Sequence, residues 1–307
     1  PRPVPAAGPQ QAVHRTVMTA SPRSPIGVFD SGVGGLTVLQ ALRDRLPGED
    51  FLYLGDTARL PYGSKSAATV QRYALNAAAH LVCHGIKLLV VACNTASSYA
   101  LDEVVASSPV PVVGVVEPGV RAALATGVRR VGVIGTEGTI RSSAYQRALE
   151  RADDGLGVDA VACPLFVPLA EEGWGDHPVT DRVAEIYLRP LLDRGAEALI
   201  LGCTHYPLLR PSLERVAGAR VRLVDSATAV ATVVIDDHSE LLNISSGSTG
   251  DLHLQLTDAS DRFLRITRQI LGRDPEHLEL VDLEPQREPR GRHARVAADA
   301  AVRFTLH

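Results

Sequence analysis

Lysine is nearly missing from this chain. Lys65 and Lys87 are the only two among 307 residues, which leaves at most two candidates for Schiff-base chemistry. Neither a CxxC nor an HExxH pattern occurs, so no structural zinc and no other metal is expected. Four cysteines in a chain of this length do not make a disulfide framework. Free thiols in a cytoplasmic protein are the simplest reading. No apolar run approaches the roughly 20 residues of a membrane span. The net charge is only −4, with both signs interspersed, which argues against direct binding to nucleic acid or a membrane surface. The stretch from Pro1 to Pro25 is rich in Pro and Ala and lacks the apolar core of a signal peptide. Residues 1–23 are expected to form a disordered extension. The one methionine is Met18. Either the natural start lies there, or residues 1–17 are a true N-terminal arm.

What is present is apolar and periodic. Apolar residues make up 45% of the chain, and the length suits about two domains of roughly 100–200 residues each. Short apolar runs bounded by turn residues predict strands over Ile26–Phe29, Phe51–Leu54, Leu88–Ala92, Pro111–Val116, Val131–Ile134, Val158–Ala162, Ala198–Leu201 and Val221–Val224. Longer segments between them, such as Ser66–His84 and Val179–Arg194, carry apolar residues at helical spacing. Gly85 and Gly195 stand where left-handed helix caps are expected. Strands alternating with helices predict a doubly wound α/β architecture with mainly parallel sheets. After Ile235 the pattern weakens to one strand over Leu252–Leu256 and one helix over Ala259–Leu271. The stretch 284–307, rich in Arg, Pro and Ala, is expected to be a poorly ordered tail.

The chain also repeats itself. Leu89-Val-Val-Ala-Cys93-Asn-Thr95 parallels Leu199-Ile-Leu-Gly-Cys203-Thr-His205. Gly27–Gly32 parallels Gly132–Glu137, and Pro111–Glu117 parallels Arg220–Ser226. All three offsets are about 105–110 residues, as two similar α/β domains would give. Each half therefore offers one thiol just past the carboxyl end of a strand, where open α/β sheets bind ligands.

Several segments have the residue types for chemistry. Asp30-Ser31-Gly32-Val-Gly34-Gly35 joins a strand to a helix through a glycine-rich turn that lets backbone approach an anion. It is neither a P-loop nor a strict GxGxxG, so a plain tight turn with Asp30 as helix cap is an equal reading. The turn with Pro61, Tyr62 and Gly63 reads by itself as a surface turn. Cys93 opens a helix, where the dipole favours thiolate, and Asn94 and Thr95 suit a carboxylate. Cys203 repeats that placement with Thr204 and His205 beside it, and His205 can assist proton movement. Cys83 and Cys163 lack such neighbours and read as packing residues. Two opposed thiols suit inversion of a stereocentre, because one removes a proton from one face while the other delivers to the opposite face.

These segments, with Gly55-Asp-Thr-Ala-Arg-Leu-Pro-Tyr-Gly63, Gly135-Thr-Glu-Gly-Thr139, Val167-Pro-Leu-Ala-Glu-Glu-Gly173 and Gly202-Cys-Thr-His-Tyr-Pro207, resemble the glutamate racemases of the cofactor-independent aspartate/glutamate racemase superfamily. The resemblance runs from about Pro25 to Leu283. It implies two pseudo-symmetric α/β domains around a buried site, the first over 24–116 plus 228–283 and the second over 117–227. It implies that Cys93 and Cys203 are the acid/base pair, serving D- and L-glutamate respectively, with Asp30, Glu171 and His205 as auxiliary acids and bases. The frame favours Glu171 over Glu172. Ser31, Pro61, Tyr62, Gly63, Asn94, Thr95, Thr136, Thr139 and Thr204 are implied to hold the substrate, with the choice between Thr136 and Thr139 open. No cofactor is implied. The product would feed peptidoglycan synthesis, the assembly would be a homodimer, and contact with DNA gyrase is linked to some members. The rivals are a racemase for aspartate or a related acid, and a two-domain binding protein without chemistry.

Overall fold

The structure is a computed structural model that describes residues 21, 23–243, 249–275 and 277–283. The expected tail over 284–307 lies outside the described residues, as does the expected extension over 1–23 apart from residues 21 and 23. The strands are β1 (Ile26–Asp30), β2 (Phe51–Gly55), β3 (Leu88–Val91), β4 (Val112–Gly114), β5 (Arg130–Gly135), β6 (Gly157–Ala162), β7 (Ala198–Gly202), β8 (Arg222–Asp225), β9 (Leu252–Leu256) and β10 (His277–Leu280). They form two sheets, one ordered β10-β9-β2-β1-β3-β4 and one ordered β6-β5-β7-β8. Every pairing is parallel.

The order β2-β1-β3-β4 in the first lobe is copied as β6-β5-β7-β8 in the second. The expected internal repeat is therefore a repeat of topology, with β1 matching β5 and β3 matching β7. Strands buried on both faces need apolar residues at every position, which is why these runs do not alternate. All five residues of β1, β2 and β7 are buried.

Helices close both faces of the first sheet. The helix Leu36–Arg45 buries Leu36, Leu39 and Leu42 on the side that holds Tyr53 and Val90. The helix Ala67–Cys83 buries Val70, Ala74, Ala77 and Leu81 on the side that holds Phe29 and Leu89. Spacings of three and four place each set on one helical stripe. Ser66 caps the second helix by accepting the Thr69 N–H. Gly85 and Gly195 follow their helices at φ +76° and +81°, the left-handed region where a Cβ is penalised.

The expected strand over Pro111–Val116 is shorter, because the helix Val116–Leu124 begins within it. β10 was not expected: all four of its residues are exposed, so it has no apolar run to betray it. Cys163 is packed in the second core with Phe166 and Tyr206. Cys83 is exposed rather than packed, since it ends its helix on the solvent side. Among the described residues no helix is long and apolar enough to cross a membrane.

Candidate active site

Both sheets end toward one place. Asp30 closes β1, Cys93 follows β3, Thr136 follows β5 and Cys203 follows β7. These are carboxyl ends of parallel strands, the edge at which such sheets take ligands. Three contacts bring the lobes together there. The Cβ position of Gly34 meets Thr204 Oγ1 and lies 2.6 Å from His205 Nδ1, so any side chain there must push them aside. Thr95 Oγ1 shares hydrogen bonds with Thr136 Oγ1 at 2.9 Å and Thr139 Oγ1 at 3.3 Å. Tyr145 OH donates to Asn94 Oδ1 at 2.6 Å.

Cys93 caps the helix Asn94–Ser107, its sulfur accepting the Ala96 N–H at 3.4 Å. It donates to Ser31 Oγ at 3.4 Å. Burial and the nearby Asp30 carboxylate push its pKa up to about 12, against the pull of the Ser31 and Ala96 hydrogen bonds. The helix-terminus argument for thiolate is thus opposed by desolvation, which favours the protonated thiol at Cys93. Asp30 is fully buried and accepts from the Gly32 N–H at 2.8 Å and from Thr204 Oγ1 at 3.4 Å. Burial raises its pKa, opposed by His205 and by those donors.

Cys203 is built differently. Its sulfur lies 3.8 Å from His205 Nδ1, and His205 Nε2 lies 3.3 Å from Glu171 Oε1. The second contact is an ion pair that falls outside hydrogen-bond alignment. Burial alone would push the imidazole down. Its contacts with Cys203 and Glu171 outweigh burial and hold it up at about 10. Burial would likewise raise Glu171, but His205 and Arg262 bring it below the usual carboxylate range. The result is an imidazolium between the Glu171 carboxylate and the Cys203 sulfur. Glu171 rather than Glu172 faces His205, and Glu172 meets Arg262 at the surface.

The remaining sequence-predicted residues divide in two. Ser31, Asn94, Thr95, Thr139 and Thr204 are buried around the thiols. Asn94 Nδ2 is buried and has no hydrogen-bond partner, so it is a donor held in reserve. Thr136 and Thr139 bond each other at 3.1 Å and share Thr95, so both belong to one hydroxyl triad. Gly63 lies against Thr136, with its Cβ position 2.6 Å from Thr136 Cβ. Tyr62 turns its hydroxyl away, donating to Asp56 Oδ2 at 2.5 Å, and Pro61 beside it is exposed. Sequence reasoning missed Tyr145 and Arg262. Neither sits in a motif, and only the fold brings them to Asn94 and Glu171. Among the described residues no cluster of three or more His, Cys, Asp or Glu is placed to hold a metal ion.

The family model for Asp/Glu/Hydantoin racemase matches residues 34–234, a span that includes both thiols. The chain belongs to that family. It is accordingly a racemase, an isomerase. Among its relatives is the glutamate racemase of Geobacter metallireducens, 50% identical over 270 residues that make up 87% of this chain and 100% of that protein. The solved structure of Francisella tularensis glutamate racemase in complex with D-glutamate superposes with a TM-score of 0.80 at 36% identity, covering 86% of this chain and 99% of that one. Thermus thermophilus glutamate racemase in complex with beta-chloro-D-alanine superposes with a TM-score of 0.77 at 48% identity, covering 85% and 98%. The racemase fold is thus the fold of this chain.

Proposed function

We propose that this racemase interconverts L- and D-glutamate by a two-base exchange between Cys93 and Cys203, and that the D-glutamate supplies peptidoglycan synthesis. The observation that carries the reading is the pair of buried thiols at equivalent strand ends of two repeated lobes, each with its own polar partners. Full-length likeness to glutamate racemases favours glutamate over aspartate. The lobes are taken as 24–116 with 228–283, and 117–227.

For L-glutamate, Cys203 takes the α-proton and Cys93 delivers its own to the opposite face. For D-glutamate the roles exchange. His205 is the proton partner of Cys203, while Asp30 and Ser31 serve Cys93. The α-proton is weakly acidic, so the developing carbanion must be met by donors that are already in place. The buried Asn94 amide, the Thr95–Thr136–Thr139 hydroxyls and Thr204 are assigned to the carboxylates and ammonium. The Pro61–Gly63 turn contributes backbone and shape, with Tyr62 holding it through Asp56.

The test is racemisation of L- and D-glutamate, with aspartate alongside, in deuterium oxide and without added cofactor. Wild type is expected to turn over both glutamate enantiomers with solvent deuterium entering at the α-carbon. Cys93→Ser and Cys203→Ser are each expected to abolish it. Turnover of aspartate in preference to glutamate would overturn the substrate. Full activity in either variant would overturn the two-thiol mechanism.

A further inference from the structure

The Cys203 half of the site does not end at Glu171. The Arg262 guanidinium places Nη1 3.2 Å from Glu171 Oε2 and Nη2 2.6 Å from Glu172 Oε1. Arg265 Nη2 donates to the Glu171 carbonyl oxygen at 3.2 Å. Both arginines stand on the helix Asp261–Leu271, whose Phe263 and Ile266 are buried in the core of the first lobe with Leu254 and Leu256. Glu171 and His205 belong to the segments around the second sheet. The line Arg262–Glu171–His205–Cys203 therefore begins in one lobe and ends on a thiol of the other.

Glu171 needs such a hold. It is the last residue of a six-residue helix, Phe166–Glu171, and Gly173 breaks the chain two residues later at φ +78°. A carboxylate there has rotamers that point to water. The guanidinium bridges two carboxylates, with Nη1 on Glu171 Oε2 and Nη2 on Glu172 Oε1, which occupies one Glu171 oxygen and leaves Oε1 toward His205. Behind Cys93 stand instead Ser31 and Asp30 of its own lobe, with Asp30 accepting from Thr204 of the other.

We propose that Arg262 is a positioning residue for the Cys203 side of the reaction, an interlobe clamp that aims the Glu171 carboxylate at His205. This rests on the reading of Cys203 as a catalytic acid/base. Arg262 itself touches no reacting atom.

The experiment compares wild type, Arg262→Gln, Arg262→Lys and Cys203→Ser. The His205 ring proton is followed by NMR against pH, assigned with His205→Asn, and glutamate racemisation is followed in both directions. In Arg262→Gln the Glu171 carboxylate is freed to turn away from the imidazole, and the His205 midpoint is expected to fall below about 10. The limb of the kcat/KM profile that follows His205 moves with it. The enantiomers are equal in free energy, so kcat/KM falls equally in both directions, by about fivefold for a half-exposed charge contact. The split between kcat and KM differs between the directions, because only one thiol loses its relay. Arg262→Lys keeps the charge without the fork and restores part of the midpoint and the rate. An unchanged or raised His205 midpoint in Arg262→Gln would overturn the clamp, even if the variant were less stable. A Cys203→Ser enzyme that still racemises would instead overturn the underlying reading.

Discussion

The Tyr145 hydroxyl of the second lobe holds the Asn94 carboxamide of the first by a 2.6 Å hydrogen bond to Oδ1. That bond fixes which end of the amide faces inward and leaves Nδ2 buried without a partner. In Tyr145→Phe the amide is free to turn, and a donor aimed at a carboxylate is lost. KM for glutamate is expected to rise about tenfold, as loss of one hydrogen bond to a charged group predicts. Stability should fall by about 1 kcal/mol. Steady-state kinetics and denaturant midpoints measure both. An unchanged KM would show that Asn94 does not bind substrate through Nδ2.

Gly34 is the other point where one lobe is shaped to the other. A Cβ there would meet Thr204 Oγ1 and His205 Nδ1, both already committed to Asp30 and Cys203. Gly34→Ala must push that loop by a sizeable fraction of an ångström. Overpacking of this kind costs about 1–3 kcal/mol of stability. Misplacing catalytic groups by ~1 Å can cost about a hundredfold in rate. The expected result is a folded protein with an unchanged far-ultraviolet circular-dichroism spectrum and kcat/KM lowered about a hundredfold. Near-wild-type activity would mean that His205 and Thr204 need no fixed position.

The sequence showed the strands because they are buried on both faces and therefore continuously apolar, as in β1 and β7. It showed the thiols because they stand at matching strand ends of a repeat. It did not show β10, which is an exposed edge strand, nor Cys83 at a solvent-facing helix end. It also could not separate Thr136 from Thr139, since both hydroxyls join Thr95. Tyr145 and Arg262 were invisible for a different reason. Their partners Asn94 and Glu171 are 51 and 91 residues away in sequence, and such contacts leave no local pattern. The sequence placed Cys93 at a helix start, where the structure has it, but carried no sign of the burial that raises its pKa.

Lys87 and Glu49 form an ion pair with 1% and 2% of their side chains exposed. Glu49 also accepts the Asn243 N–H. Removing one member strands a charge in the core, which costs about 3–5 kcal/mol. Lys87→Met is expected to lose that much in a denaturant titration. Glu49→Gln combined with Lys87→Met should recover most of it, because the amide still accepts from Asn243 and no charge is left unpaired. Equal losses in the single and double variants would show that the pair contributes packing rather than charge balance.

Stability should have its maximum in mildly acidic solution and decline steadily toward high pH. His205 is raised from 6.5 to about 10 and Cys93 from 9.0 to about 12. Both groups hold protons in the native state after the unfolded chain has released them. Their contributions are therefore complete below the unfolded pKa and are lost as pH rises through the folded one. The His205 window runs from 6.5 to about 10, and the Cys93 window from 9.0 to about 12. Within each window one such group lowers stability by at most about 1.4 kcal/mol per pH unit. Glu171 works in the opposite sense: its folded pKa lies below 4.5, so its contribution is present above that value and is lost on acidification. Urea midpoints measured from pH 4 to 10, a range set by roughly the unperturbed carboxylate and lysine values, should decline above 6.5. His205→Asn should flatten the first part of that decline, and Cys93→Ser should lessen the part above 9.0, which Cys163 shares because burial raises it too. A wild-type curve that is flat or rising between 6.5 and 9.0 would mean that His205 is not the imidazolium this site is built to hold.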